Sequence, residues 1–220
     1  MKPGPLGILG GTFNPIHRGH IQSALELCER LALKEMRLMP SAVPPHRELP
    51  TCSAARRAQM VRLAAAEHTC LQCDDRELQR SGPSYTIDSL ADIRAEEGTE
   101  RSIILVMGAD AVAALDGWHR WRELTGFSHI LVIARPGWQL PREGIVADWL
   151  QQHLTRSLET LQHTSCGAVL VQELTPHNVS STEIRRLIAA AESPRELVPE
   201  PVWQYIKKQG LYGHHAEHLE

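Results

Sequence analysis

The chain has 220 residues, of which 42% are hydrophobic and 22% charged, and a formal net charge of -3 at pH 7. These values are ordinary for a globular protein with a full core, and they give no electrostatic case for binding nucleic acid through a general basic surface. Apolar runs of membrane-spanning length are missing from the sequence, as is the apolar segment of a signal peptide near the N-terminus. We therefore expect a cytoplasmic protein that binds neither nucleic acid nor membrane.

Short apolar runs alternate with helical patterns along the chain. Strands are predicted over residues 6–9, 36–39, 71–73, 102–107, 130–134 and 168–172. Helices are predicted over residues 19–31, 54–67, 86–96, 109–115, 145–154, 182–191 and 201–208. This alternation predicts an α/β fold, a mostly parallel sheet with helices on both faces. Ligands of such sheets bind beyond the carboxyl ends of the strands, so the loops that follow strands are the informative ones.

The first of these loops is GGTFNPIHRGH, residues 10–20. Its two glycines allow a tight turn with exposed N–H groups, and the turn leads into a helix N-terminus, which stabilises anions. His17 and His20, three residues apart, project from one side of the first helical turn. Such a histidine pair can also bind zinc, and each histidine alone is more often structural. The motif holds no Asp or Glu to complete a metal shell, so phosphate binding is the favoured interpretation.

A second helix start follows the sixth predicted strand, at SSTEIR, residues 180–185. Ser180 and Glu183 have the spacing of a capping box, and Arg185 lies within the first turns of the helix. A plain helix cap with a surface cation is the simple interpretation of this segment. Ser180 can nevertheless cap the helix while later groups face an anion, so both interpretations can hold.

The five cysteines are odd in number and scattered, which does not indicate a disulfide framework. Cys70 and Cys73 form a lone CxxC without a second pair, and we interpret them as structural rather than as a zinc or redox site. The histidines at 214, 215 and 218 lie in a polar C-terminal segment that is expected to fray.

Together, residues 10–20 and 180–185 resemble the HxGH and SSTxIR signatures of the adenylyltransferase superfamily. Further segments resemble the bacterial nicotinate-nucleotide adenylyltransferase family, and they lie at residues 43–47, 83–86, 108–110, 118, 135–137 and 209–212. The resemblance covers nearly the whole chain. It implies a Rossmann-like doubly wound fold with a C-terminal helical portion, in a single nucleotidyltransferase domain over residues 1–213 followed by a flexible tail over 214–220.

The activity implied by the resemblance is transfer of AMP from ATP to nicotinate mononucleotide. The products are nicotinate adenine dinucleotide and pyrophosphate, and the reaction belongs to NAD biosynthesis. Mg²⁺ is the implied cofactor, bound mainly through the ATP phosphates, and no side chain is assigned as a metal ligand. Two alternatives stay open: an adenylyltransferase for nicotinamide mononucleotide or another phosphorylated acceptor, and a non-catalytic nucleotide-binding regulator. The sequence also leaves homo-oligomerisation open.

The resemblance assigns roles to individual residues. The expected catalytic residues are His17, His20 and Arg185. The expected ATP-binding residues are these three with Gly10, Gly11, Thr12, Phe13, Gly19, Gly108, Asp110, Ser180, Ser181 and Thr182. The expected acceptor-binding residues are His46, Arg47, Tyr85, Thr86, Trp118, His119 and Arg135.

The family pattern is broken at three sites. Asn14 replaces a frequent Asp, and Ser41-Ala42 replaces an Asn-rich pair. His119 stands where Tyr is familiar. We expect the first change to be tolerated and the other two to alter contacts to the acceptor.

Overall fold

Seven strands form one sheet in the computed structural model, which describes residues 4–42, 52–80, 82–134 and 137–214. The strands are β1 (Leu6–Gly11), β2 (Glu35–Pro40), β3 (Leu71–Cys73), β4 (Ile103–Gly108), β5 (His129–Ala134), β6 (Leu154–Thr155) and β7 (Val169–Glu173). Their order is β3-β2-β1-β4-β5-β7-β6, and every neighbouring pair is parallel. The predicted α/β class with a parallel sheet is confirmed.

Nine α-helices accompany the strands in the described ranges. They are α1 (Arg18–Arg30), α2 (Ala54–Ala65), α3 (Thr86–Glu97), α4 (Ala109–Ala113), α5 (Leu124–Phe127), α6 (Ile145–His153), α7 (Leu158–His163), α8 (Ser181–Ala189) and α9 (Glu200–Lys208). A 3-10 turn, Leu211–Gly213, follows α9. Each of the seven predicted helices is present. The C-terminal helical portion consists of α8, α9 and this turn.

The side chains of the strands divide the core into two clusters. Ile104 and Val106 of β4 join the cluster that includes residues of α1, α2, α8 and α9, whereas Leu105 and Met107 join the cluster that includes residues of α3, α4 and α6. Alternate residues of a strand point to opposite faces. Helices therefore cover both faces of the sheet, as the alternation of elements predicted.

Short elements account for the differences from the sequence prediction. The helix predicted to end at Leu154 ends one residue earlier, because Leu154 begins β6. The helix predicted over 109–115 ends at Ala113, and a 3-10 turn covers Leu115–Gly117. Strand β6 and helices α5 and α7 were not predicted. Elements of two to six residues are too short to show a hydrophobic period.

The sheet order places a crevice at the carboxyl ends of β1 and β4. β1 pairs with β2 on one side and with β4 on the other, so the chain reverses the direction of strand addition between these two strands. In doubly wound sheets this switch point is where ligands bind. Over the ranges that the structure describes, every helix is too short or too polar to cross a bilayer.

Candidate functional site

The two histidines of the first motif meet at the start of α1. His17 is the N-cap residue and His20 is the third helical residue, and their rings stack with centroids 3.6 Å apart. The backbone N–H of His17 donates to Nδ1 of His20 over 3.3 Å. A neutral imidazole has one donor and one acceptor nitrogen, so neutral His20 carries its proton on Nε2.

Burial keeps both imidazoles uncharged near neutral pH. It lowers the pKa of His17 from 6.5 to about 4, with a smaller effect from nearby His177. It lowers the pKa of His20 to about 3, with His17 as the second cause. Nδ1 of His17 and Nε2 of His177 are buried and have no hydrogen-bond partner. Buried polar atoms without a partner are costly, so these nitrogens are suited to a polar ligand.

Three donors from distant parts of the chain hold the turn between β1 and α1. Nη1 of Arg185 donates to the carbonyl of Asn14 over 2.7 Å, and Oγ of Ser181 donates to the carbonyl of Pro15 over 2.9 Å. The hydroxyl of Tyr212 donates to Oδ1 of Asn14 over 2.8 Å. The two signature segments are therefore one connected structure. An Asp at position 14 would offer the same acceptor atom, so the departure at Asn14 preserves this contact.

Two glycines of the first motif make room for neighbouring side chains. A Cβ on Gly19 would lie 2.7 Å from Cγ1 of Val179 and 3.2 Å from Nδ1 of His17. A Cβ on Gly11 would lie 3.0 Å from the ring of Phe13, which is buried and meets His20 edge-on at 5.1 Å. Close packing of α1 against the segment before α8 therefore requires glycine at position 19, and a side chain at position 11 would crowd the ring of Phe13.

The other predicted ATP-binding residues lie around the same crevice. Gly10 is the last residue but one of β1 and Gly108 is the last residue of β4, and a Cβ on either would meet open space. Thr12 lies in the turn, and Asp110 is exposed in the first turn of α4. Ser180 caps α8 by accepting from the backbone N–H of Glu183 over 3.2 Å, as the capping-box spacing predicted. Thr182 is exposed near the same helix start.

Part of the predicted acceptor set gathers at the start of α3. Tyr85 is the N-cap residue of α3 and Thr86 is its first residue. The rings of Tyr85 and His119 lie 4.4 Å apart. Trp118 is partly buried and packs against the same core cluster as Tyr85. The remaining predicted acceptor residues lie outside the described residues, and they are His46, Arg47 and Arg135.

The segment after β2 is held mainly through its backbone. The N–H of Ser41 donates to the carbonyl of Gly11 over 2.9 Å, and the N–H of Ala42 donates to Oε2 of buried Glu77 over 3.4 Å. The carbonyls of Ser41 and Ala42 both accept hydrogen bonds from the guanidinium of Arg57 in α2. Because main-chain atoms make these contacts, the contacts would also form with Asn at positions 41 and 42, where the family has an Asn-rich pair.

Sequence reasoning missed Arg57, Glu77 and His177. One signal was present for Arg57, which lies on the apolar stripe of α2 three and four residues before Met60 and Val61. A charged residue on a buried stripe needs polar partners. Glu77 lies in a 3-10 turn of four residues, Arg76–Gln79, and His177 lies in an irregular segment. Neither segment is long or regular enough for a hydrophobic period to mark a buried side.

The cysteines and histidines also bear on metal binding. Within the described ranges, no group of three or more His, Cys, Asp or Glu side chains could hold a metal ion. Sγ of Cys73 donates to the carbonyl of Ala58 over 3.7 Å. Burial raises the pKa of Cys28 to about 12, with a hydrogen bond between its thiol and Cys70 as a further cause. Cys70 and Cys73 thus contact other groups of the protein, and their structural role stays a prediction.

Known proteins resemble this chain over nearly its whole length. The family model described as cytidylyltransferase-like matches residues 8–187. A protein of Cellvibrio japonicus described as a probable nicotinate-nucleotide adenylyltransferase is 47% identical over 214 residues, covering 96% of this chain and all of that protein. One of Aeromonas hydrophila with the same description is 43% identical over 96% of this chain and 98% of its own length.

The chain belongs to the nicotinate-nucleotide adenylyltransferase family. It is thus a nucleotidyltransferase, and the resemblance carried by its two signature segments is confirmed. A solved structure of the Plasmodium falciparum nicotinic acid mononucleotide adenylyltransferase, complexed with NaAD, is similar with a TM-score of 0.72 and 16% identity, covering 97% of this chain and 99% of the other. At this identity the likeness shows the Rossmann-like fold of the family.

Proposed function

We propose that this enzyme transfers AMP from ATP to nicotinate mononucleotide and so forms nicotinate adenine dinucleotide and pyrophosphate in NAD biosynthesis. The observation that carries the proposal is the hydrogen bond from Arg185 to the carbonyl of Asn14 at the switch point of the sheet. It joins the two signature segments into one cradle. Relatives at 42% to 47% identity described as probable nicotinate-nucleotide adenylyltransferases support the choice of substrates.

His17 and His20 bind the ATP phosphates in this proposal. Nε2 of neutral His20 is a donor, because its Nδ1 accepts from the backbone of His17. Nδ1 of His17 is free of partners and adjoins the helix N-terminus. Donors fixed before the reaction stabilise charge that develops on a transferring phosphoryl group.

The start of α8 binds the β- and γ-phosphates of ATP in this proposal. It thereby stabilises the leaving group, pyrophosphate. Arg185 has five N–H donors, so it can hold the turn at Asn14 and still bind phosphate oxygens. The hydroxyls of Ser180 and Thr182 and the backbone amides of residues 180–182 add neutral donors at a helix N-terminus. On the other side of the crevice, Asp110 binds the ribose of the adenosine, while open space at Gly10 and Gly108 admits the nucleotide.

The chemical step is a direct displacement at the α-phosphorus by the 5′-phosphate of the acceptor. That phosphate is ionised near neutral pH, so no general base and no covalent intermediate are required. The protein contributes alignment of the two substrates and charge stabilisation. Mg²⁺ would be held mainly by the ATP phosphates, where it would neutralise part of their charge, and no side chain is assigned to it.

The acceptor binds beside Tyr85, Thr86, Trp118 and His119 in the proposal, together with His46, Arg47 and Arg135. The indole of Trp118 stacks on the pyridine ring, and backbone amides near Thr86 and His119 donate to the carboxylate. A carboxylate only accepts hydrogen bonds, whereas the amide of nicotinamide presents an NH₂ group to those donors. Donors left facing an NH₂ group disfavour the amide substrate.

Product formation from ATP, Mg²⁺ and each acceptor tests the proposal. We expect nicotinate adenine dinucleotide and pyrophosphate to form in equal amounts, with a higher kcat/KM for the acid acceptor than for the amide. A preference for nicotinamide mononucleotide would reassign the acceptor. Failure to release pyrophosphate with any phosphorylated acceptor, despite ATP binding, would favour a nucleotide-binding regulator.

The variant His20→Ala tests the role of the imidazole in the same assay. Loss of one charge-stabilising donor lowers kcat by about 10²–10³-fold, and we expect circular dichroism and the melting temperature to show a folded protein. The matched control is His163→Ala, which removes an exposed imidazole at the end of α7. A decrease of less than about tenfold for His20→Ala would refute its assigned role.

The same proposal includes a single domain over residues 1–213, a short tail at 214–220, a cytoplasmic location and self-association. Light scattering on the purified enzyme at several concentrations gives the mass in solution. A mass of one chain at every concentration would remove self-association from the proposal.

A further inference from the structure

Arg57 is a charged residue inside the core of the molecule. It lies in the first turn of α2 and is only 1% exposed. Burial lowers the pKa of its guanidinium from the ordinary value, and nearby Cys52, Tyr212 and Glu77 oppose that change. A buried charge is costly unless hydrogen bonds satisfy it, so its contacts indicate why the position holds Arg.

The guanidinium donates to four main-chain carbonyls. Nη1 donates to Thr12 over 2.6 Å, and Nη2 donates to Ser41 over 2.7 Å and to Ala42 over 3.2 Å. Nε donates to Cys52 over 3.2 Å. Its partners thus lie in three separate segments: the turn after β1, the segment after β2 and the residues just before α2.

Two of these segments face different substrates in the proposed function. Thr12 belongs to the turn assigned to ATP, and Ser41 and Ala42 continue from β2 on the side assigned to the acceptor. The guanidinium is a planar fork with fixed angles between its donors. Its bonds therefore set the distance between the Thr12 carbonyl and the Ser41 carbonyl. The bond from the N–H of Ser41 to the carbonyl of Gly11 ties the same two segments.

We infer that Arg57 is a positioning residue that holds the ATP-binding turn and the acceptor-side segment in register for the in-line transfer. The inference rests on the proposed function, since it assumes that the two segments bind two reacting substrates. Misplacement of reacting groups by about 1 Å can cost on the order of 10²-fold in rate. Lysine keeps the charge but cannot reproduce the fork.

Arg94 of α3 provides a matched control. Its guanidinium also donates to four carbonyls, those of Phe127, Gly98, Arg101 and Ser165. Arg101 and Phe127 precede β4 and β5, so this cluster lies at the amino ends of the strands, opposite the site. Replacing the guanidinium of Arg94 removes these hydrogen bonds and weakens the fold, but it leaves the contacts of the substrate-binding segments in place.

The experiment compares Arg57→Lys, Arg94→Lys and the wild type by steady-state kinetics, well below their melting temperatures. We expect both variants to melt earlier, but only Arg57→Lys to lose about 30-fold or more in kcat. Arg94→Lys should keep kcat within twofold of the wild type. If Arg57→Lys does not fold, Arg57→Gln replaces it, because Gln removes the buried charge and keeps two amide donors.

A folded Arg57 variant with kcat within threefold of the wild type overturns the inference, and so does failure of both Arg57 variants to fold. An inactive wild type refutes the proposed function instead. The inference is then decided by the affinity for ATP, measured calorimetrically. Positioning of the Thr12 turn predicts at least a fivefold weaker affinity in Arg57→Lys and no change in Arg94→Lys. Equal affinities would refute it.

Discussion

Two stacked imidazoles lie where a positive charge would be expected in a phosphate site, and burial keeps them neutral. The pKa of His17 is about 4 and that of His20 about 3. At neutral pH the site of the free enzyme therefore offers hydrogen-bond donors rather than imidazolium charge, and the permanent charge comes from Arg185. An anion bound beside the rings favours their charged forms. Binding of ATP and protonation of this pair are thus coupled.

The buried histidines make stability depend on pH. An unfolded histidine has a pKa near 6.5, so below that pH the unfolded chain takes up protons that folded His17 and His20 do not. Their contribution to stability therefore declines as the pH falls from about 6.5 toward their folded pKa values, and it is constant above that range.

The variant His20→Asn removes one of these titrations. We expect the free energy of unfolding to change less steeply with pH between 6 and 4.5, by up to about 1.4 kcal/mol per pH unit for one proton. Urea unfolding at several pH values measures the slope. His163→Asn, which replaces an exposed histidine at the end of α7, is the matched control. Equal slopes for both variants would contradict a neutral buried His20.

At the scale of elements, the starts of α1 and α8 are packed into one unit. Gly19 of α1 faces Val179, the residue before the cap of α8. Alanine normally stabilises a helix relative to glycine by about 1 kcal/mol. At this position its Cβ would lie 2.7 Å from Cγ1 of Val179, and overpacking of this kind costs about 1–3 kcal/mol. The cost of overpacking therefore equals or exceeds the gain in helix propensity from replacing glycine with alanine.

We accordingly expect Gly19→Ala to be destabilised and to have a lower kcat, since the new Cβ also crowds Nδ1 of His17. Adding Val179→Ala removes Cγ1 and should restore part of both losses. A double-mutant cycle on unfolding free energy and kcat measures the coupling. Gly126→Ala in α5 is the control, because its Cβ would meet open space. Strict additivity of Gly19→Ala and Val179→Ala would show that the two side chains do not meet.

On the scale of the whole molecule, stability concentrates in the middle of the sheet. Residues of β4 and β5 such as Ile104 and Leu131 are fully buried. Edge strand β6 has two residues, and Leu154 is 43% exposed. Regions with few buried contacts open more readily than the core.

Amide hydrogen exchange should be slower in the central strands than at the β6 edge of the sheet. We expect amides of β1, β4 and β5 to exchange only on global unfolding, while those of α6 and β6 exchange at a lower free energy. Native-state exchange at increasing urea concentration, measured by mass spectrometry, tests the order. Uniform protection from β4 to β6 would show that the edge unfolds together with the centre.

The sequence carries much of this architecture because the informative elements are long or strongly patterned. Strand β4 is an unbroken apolar run, as expected for a strand buried on both faces, and α1 has a regular apolar stripe. In contrast, β6 has only two residues, and the fork of Arg57 joins segments that are far apart in sequence. Such contacts depend on the tertiary fold, which local patterns do not encode.

Some residues of the candidate site could be predicted from local motifs, whereas others could not. Glycine, histidine and hydroxyl residues in short motifs indicated the phosphate crevice, because their chemistry is local. Glu77 and Tyr212 act through partners 35 and 198 residues away, respectively. Their chemistry is visible only once the chain is folded.

The turn after β1 gives one of its carbonyl oxygens to the protein interior. Buried Arg57 occupies the carbonyl of Thr12. In a trans peptide the next N–H points the opposite way, so the amide of Phe13 points away from the guanidinium. This peptide thus has an electrical polarity imposed by the core, with its donor outward and its acceptor inward. A preference for anions over cations at this peptide is then a property of the backbone, so it does not depend on the side chain of Thr12.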